Sequence, residues 1–72
     1  MDLNEKLVKI GLKVKYLRIE RGLSQTDLAY KIGKDQPSIN RLEKGNINPS
    51  FLFLIEIAIG LDISVKDILD DF

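Results

Sequence analysis

Neither cysteine nor histidine occurs in this chain. Without cysteine there is no disulfide and no thiolate metal site, and a reducing, cytoplasmic setting is the simplest expectation. Without either residue the usual nucleophiles and bases of covalent catalysis are missing. Ser24, Ser50 and Ser64 stand at predicted helix starts, where their hydroxyls are already used as caps. Asp70 and Asp71 form a carboxylate pair, but adjacent residues on a chain end are poorly held for acid–base work or for a metal. No enzyme, no cofactor and no metal site is therefore expected. Long apolar runs are also lacking, which argues against a signal or membrane segment.

An excess of charge of either sign is absent too: 11 Lys and Arg face 11 Asp and Glu. A neutral balance argues at first against a nucleic-acid binder. The distribution argues otherwise, because residues 1–45 hold ten basic against six acidic residues and residues 46–72 hold one against five. A net +4 half is followed by a net −4 half. Ordinary solvated faces would also explain such a split. Read with the motif below, the positive half carries the proposed reading helix and the acidic half is expected to point away. At 72 residues the chain is near the lower end of what folds alone, so one core and a single domain over residues 1–72 are expected.

What is present is concentrated between Gly22 and Gly45. Ser24 and Asp27 have the spacing of a reciprocal helix cap, so a helix begins near Gln25. Leu28, Ala29 and Ile32 form its buried face, leaving Gln25, Asp27 and Lys31 outside, and Gly33 ends it. Only Lys34 and Asp35 intervene before a second helix with Asp35 as N-cap, Pro37 in its first turn and Ile39 with Leu42 inward. Gln36, Pro37, Ser38, Asn40, Arg41 and Lys44 face out. Two short helices joined by a tight glycine turn are how a small protein places a helix in a DNA major groove.

The residues here resemble the Xre/Cro-type helix-turn-helix regulators, the family that includes the phage repressors. Its pattern is matched by Arg21-Gly22-Leu23-Ser24-Gln25, Leu28-Ala29, Gly33, the run Ile39 to Gly45, and Asn48-Pro49-Ser50. The resemblance extends from about Ile10 to Leu69. It implies an all-α, compact five-helix domain of the lambda-repressor-like type, with helices 2 and 3 forming the helix-turn-helix over about 24–45. The remaining helices follow the same reading. Leu3, Leu7, Ile10, Val14 and Leu17 make a stripe on helix one. Ser50 caps a fourth helix buried through Phe51, Leu54, Ile55, Ala58 and Leu61, and Ser64 with Asp67 caps a fifth bearing Val65, Ile68 and Leu69.

The expected function is sequence-specific binding of double-stranded DNA and transcriptional regulation, as a repressor. Gln36 leads the base-contacting candidates, since an amide pairs with adenine N6 and N7; Pro37, Asn40 and Arg41 follow. Each has a plainer alternative: a solvated polar residue for Gln36, helix initiation for Pro37, a phosphate contact for Arg41. Gln25, Ser38, Lys44, Asn46 and Asn48 are the phosphate candidates, although the two asparagines suit a turn equally well. The resemblance also implies that Gln25 braces the first reading-helix residue and that Arg18 pairs with Glu43 as a structural, partly exposed ion pair.

Leu52, Phe53 and Ile59 stand where such chains usually carry polar residues, and Tyr30 replaces a usual charge. This surplus apolar surface, with Phe72, is read as the interface of a homodimer on an inverted repeat, unless a tightly packed core absorbs it. Gly60 is expected to allow close approach of another backbone. The rival reading is a protein-interaction module, such as an antitoxin or adaptor, whose main partner is another protein.

Overall fold

The computed structural model describes residues 2–70, and among them there are five helices and no strand. They are α1 (Leu3–Glu20), α2 (Gln25–Ile32), α3 (Gln36–Glu43), α4 (Phe51–Leu61) and α5 (Val65–Leu69). Each start has a polar partner for its free N–H groups. Asp2 accepts from the Glu5 N–H at 2.8 Å, Asp35 from Ser38 at 2.8 Å, and Ser50 from Phe53 at 3.0 Å. Ser24 and Asp27 close a full reciprocal box, both bonds at 2.9 Å. At α5 the Asp67 carboxylate accepts from both the Ser64 N–H and its hydroxyl, so the acid makes the cap there rather than the serine.

The ends follow backbone chirality. Gly33 terminates α2 with φ +69°, a left-handed conformation that costs glycine nothing. Asp62 does the same for α4 with φ +57°, a role that a short polar side chain tolerates better than most.

Val14, Leu28, Ile39, Leu42, Ile57, Leu61 and Ile68 are fully buried at the centre. The α2–α3 pair packs on itself, α1 lies against α3, α4 against α2, and α5 closes the gap between α1 and α4. One glycine sets the α1–α3 distance. A Cβ at Gly11 would stand 2.5 Å from the carbonyl oxygens of both Leu42 and Glu43, so only glycine lets helix one touch the backbone at the end of α3. Gly60 acts differently from expectation. A Cβ there would meet the side chains of Ile32 and Leu28 at 2.7 and 2.9 Å, so it makes room for α2 side chains and not for a backbone.

The stripes need correction at their edges. Leu3 is 74% exposed because it opens α1 beyond the reach of α3 and α5, and Phe51 is 64% exposed at the uncovered start of α4. Ile57, not in the expected stripe, is fully buried. Helix four reads FLFLIEIAIGL, apolar on every side, so periodicity cannot say which face turns inward. Phe53, taken as surplus, packs half-buried against the core. On the outer face of α1 a second apolar row, Val8, Leu12, Tyr16 and Ile19, remains exposed.

Candidate nucleic-acid interface

The α3 helix begins beside α2, and the two are tied by side chains at their first residues. Gln36 donates from Nε2 to Oε1 of Gln25 at 2.7 Å, and Asn40, one turn further along α3, donates from Nδ2 to the same oxygen at 3.3 Å. Gln25 in turn donates from its own Nε2 to Glu43 Oε1 at 3.0 Å. Gln25, expected to face outward, is therefore drawn half into the protein, because its amide fits between a carboxylate and two amide donors. The bracing of Gln36 by Gln25 is present.

Beneath this cluster Glu43 holds Arg18. Arg18 donates from Nε to Oε2 at 2.6 Å and from Nη2 to Oε1 at 2.9 Å, a two-pronged pair, and its Nη1 reaches the Leu23 carbonyl at 2.7 Å. The side chains are 9% and 2% exposed. The pair is thus buried, not partly exposed as expected, because Gly11 brings α1 onto the end of α3. The hydrogen bond to Glu43 raises the Arg18 pKa above its ordinary value against the opposing effect of burial, so its charge is fixed.

The remaining candidates are disposed around this base. Pro37 and Arg41 are exposed on α3, and Arg41 Nη2 contacts the Ser38 hydroxyl at 3.3 Å. Ser38 is half-buried, while Lys44, Asn46 and Asn48 are exposed at the end of α3 and in the following loop. Lys15, which the sequence reading passed over, shares a shallow cleft with Val8, Leu12, Gln25, Asn40, Glu43 and Lys44. Its signal was available: it lies three residues before Arg18, hence on the same face of α1. Leu52 and Ile59 are exposed on α4, with Ile59 at 72% and Tyr30 on α2 at 88%. Phe72 lies outside the described residues.

Electrostatics favour anions here. The Gln25–Gln36 bond places the N-termini of α2 and α3 together, where helix dipoles present partial positive charge. Asp27 and Asp35 take up part of it. The Asp27 carboxyl lies below its ordinary pKa because it accepts from the Ser24 backbone N–H and then from its hydroxyl. Asp35 is lowered by hydrogen bonds from the Ser38 hydroxyl and backbone N–H, with smaller help from Arg41 and Lys34. The acidic half does not simply point away. Asp70 pairs with Lys13 at 3.0 Å and Glu56 with Lys34 at 3.4 Å, so part of it neutralises the basic half. Lys34 also sits 5.8 Å from the Phe53 ring centre, in the groove that Arg41 lines, while Lys15 and Lys44 border the cleft with Gln25, Asn40 and Glu43.

A helix-turn-helix family model matches residues 14–68. The chain belongs to that family of transcriptional regulators. Within it, the chain is 36% identical over 63 residues to the HTH-type transcriptional regulator SinR of Bacillus subtilis, covering 86% of this chain and 57% of SinR. It thus spans little more than half of that relative. It is 38% identical over 56 residues to the uncharacterized HTH-type transcriptional regulator MJ0272 of Methanocaldococcus jannaschii, covering 78% of this chain and 85% of that protein. These relatives are regulators rather than enzymes. Among solved structures it is similar to the restriction-modification controller protein C.AhdI from Aeromonas hydrophila, with a TM-score of 0.90, 34% identity, and coverage of 94% of this chain and 99% of that one. The controller C.Esp1396I, solved as a tetramer with its natural 35 base-pair operator, matches with a TM-score of 0.77 and 34% identity over 88% of this chain and 93% of its own. The family fold and its five helices agree with what the resemblance implied. No helix among the described residues is long and apolar enough to cross a membrane.

Proposed function

We propose that this protein is a cytoplasmic, sequence-specific DNA-binding repressor that inserts α3 into the major groove of duplex DNA. The observation that carries the reading is the braced amide at the start of α3. Gln36 is held by Gln25 with its outer edge free, flanked by exposed Pro37 and Arg41, and the braced Asn40 follows one turn later. Gln36 reads adenine, Asn40 and Arg41 read or steady the next bases, and Pro37 supplies apolar contact to a thymine methyl. Gln25, Ser38, Lys44, Asn46 and Asn48 hold phosphates, Gln25 through its second amide N–H. The bound operator of C.Esp1396I supports this use of the fold.

Leu52 and Ile59 lie two turns apart on one exposed face of α4, and we assign them to a homodimer contact, with Phe72 added to it. A two-fold dimer binds an inverted repeat with half-site centres about 34–36 Å apart. The same exposed face, with Tyr30, favours the second reading, a module whose main partner is another protein. Fluorescence anisotropy on a labelled duplex across a salt series separates the two. Binding that weakens log-linearly with salt supports phosphate neutralisation, and absence of binding at low salt favours the protein partner.

A further inference from the structure

The buried ion pair does more than join α1 to α3. We propose that Glu43, acting through Gln25, sets which way the amide groups of Gln36 and Asn40 face and so determines the hydrogen-bonding code that α3 offers to DNA bases. The inference rests on the base-reading role of Gln36 proposed above.

The argument follows from what each group can donate. Glu43 sits against Arg18 with both carboxylate oxygens accepting, so it has no proton to give. The amide of Gln25 must therefore turn its NH2 toward Glu43, and its carbonyl oxygen faces the other way, toward α3. That oxygen can only accept. It takes one N–H from Gln36 and one from Asn40, which fills its two lone pairs. Both α3 amides are thus required to point an N–H inward, and each keeps its carbonyl oxygen and one N–H for the outside. The polarity of every amide is fixed by one carboxylate.

An acceptor and a donor side by side match adenine, which offers the N6 amino group and the N7 acceptor on its major-groove edge. Two-point pairing with adenine takes the carbonyl oxygen and one N–H of the amide, so an amide that gives its other N–H to Gln25 can still make both bonds. Guanine presents two acceptors, O6 and N7, and is poorly matched while the amide is held in this sense. Released from Gln25, the Gln36 amide is free to flip and to meet guanine edges as well. Gln25 and Glu43 are in this scheme positioning residues that exclude a base without touching it.

The test is selection of bound duplexes from a random pool by wild type, Gln25→Ala, Glu43→Gln and Gln36→Ala, with melting temperatures measured in parallel. Gln25→Ala leaves the Arg18–Glu43 pair intact, so it keeps the experiment decisive even if Glu43→Gln fails to fold. Gln25→Ala, and Glu43→Gln where folded, are expected to reduce the adenine-over-guanine preference at the Gln36 position about tenfold, with positions read by Arg41 unchanged. A preference retained in Gln25→Ala while Gln36→Ala abolishes it would overturn the relay and leave the base-reading role standing. A preference unaffected by Gln36→Ala would instead remove the base-reading role, and the relay with it. A uniform loss of affinity in Gln25→Ala, with base preferences intact, would reduce Gln25 to a phosphate contact and reject the proposal.

Discussion

At the scale of single residues, the Arg18–Glu43 pair decides most. Its two hydrogen bonds and near-complete burial mean that removing one partner strands the other charge away from water. Glu43→Ala is expected to cost about 3–5 kcal/mol, and for a domain of this size to lower the melting temperature by more than about 10 °C. An unchanged melting temperature would show that the pair contributes nothing. The N-cap carboxylates act on a different axis. Asp27 and Asp35 are held below their ordinary pKa by the hydrogen bonds of their caps, so the folded state binds protons less readily than the unfolded chain. The sign follows: their contribution is present above the unfolded carboxylate range, about pH 4, and is lost as pH falls through the lowered folded values. Urea unfolding at a series of pH values should show a shallower acid limb in Asp27→Asn/Asp35→Asn than in wild type. Superimposable limbs would mean that these caps do not contribute to acid sensitivity.

Helices meet through glycine in two distinct ways, and substitution separates them. Gly33 has open space around it and φ +69°, so Gly33→Ala is expected to cost about 1–2 kcal/mol through backbone conformation alone. Gly11 sits inside α1, where alanine would normally favour the helix, yet its added methyl would strike backbone oxygens at 2.5 Å. Gly11→Ala should therefore destabilise by about 1–3 kcal/mol despite better helix propensity, as read by thermal or urea unfolding. Stabilisation by Gly11→Ala would show that α1 and α3 can part without loss. The contrast also explains what could be read in advance. Gly33 was legible because a glycine after a periodic helix, two residues before a capping Asp, has a local cause. Gly11 was not, since its neighbour is a backbone more than thirty residues away. In the same way Ser24, Asp35 and Ser50 announced their helices, while the phase of α4 was hidden because its apolar residues cover all sides. The candidate site divides likewise. Gln36, Asn40 and Arg41 were singled out by an expected outward position on α3. That position holds for exposed Arg41, whereas Gln36 and Asn40 are half-buried against Gln25, and the inward pull on Gln25 depends on Glu43 from another helix. Lys15 was missed although its spacing from Arg18 placed it on the right face of α1, because the cleft it borders is completed by α2 and α3.

For the whole molecule, charge and apolar surface point in different directions. A neutral chain needs its cations gathered locally to bind DNA: Lys13 and Lys34 are paired to Asp70 and Glu56, whereas Lys15 and Lys44 line the cleft beside Gln25 and Asn40, and Arg41 stands exposed on α3. Lys44→Ala is expected to reduce the salt slope of binding by about one unit, as read by anisotropy titration; an unchanged slope would place this cation off the phosphates. Leu52, which shares a groove with Ser38 and Arg41, and Ile59 stay uncovered in the monomer. Sedimentation at high micromolar concentration should show a dimer that Leu52→Asp/Ile59→Asp converts to monomer, and a monomer in wild type would reject that contact. The central claim, that α3 reads sequence, is tested most directly by selecting duplexes from a random pool with wild type and Gln36→Ala side by side at moderate salt. An enriched inverted repeat whose preference blurs in the mutant is the predicted result. No enrichment by the wild type would contradict it and turn attention to a protein partner for the α4 face.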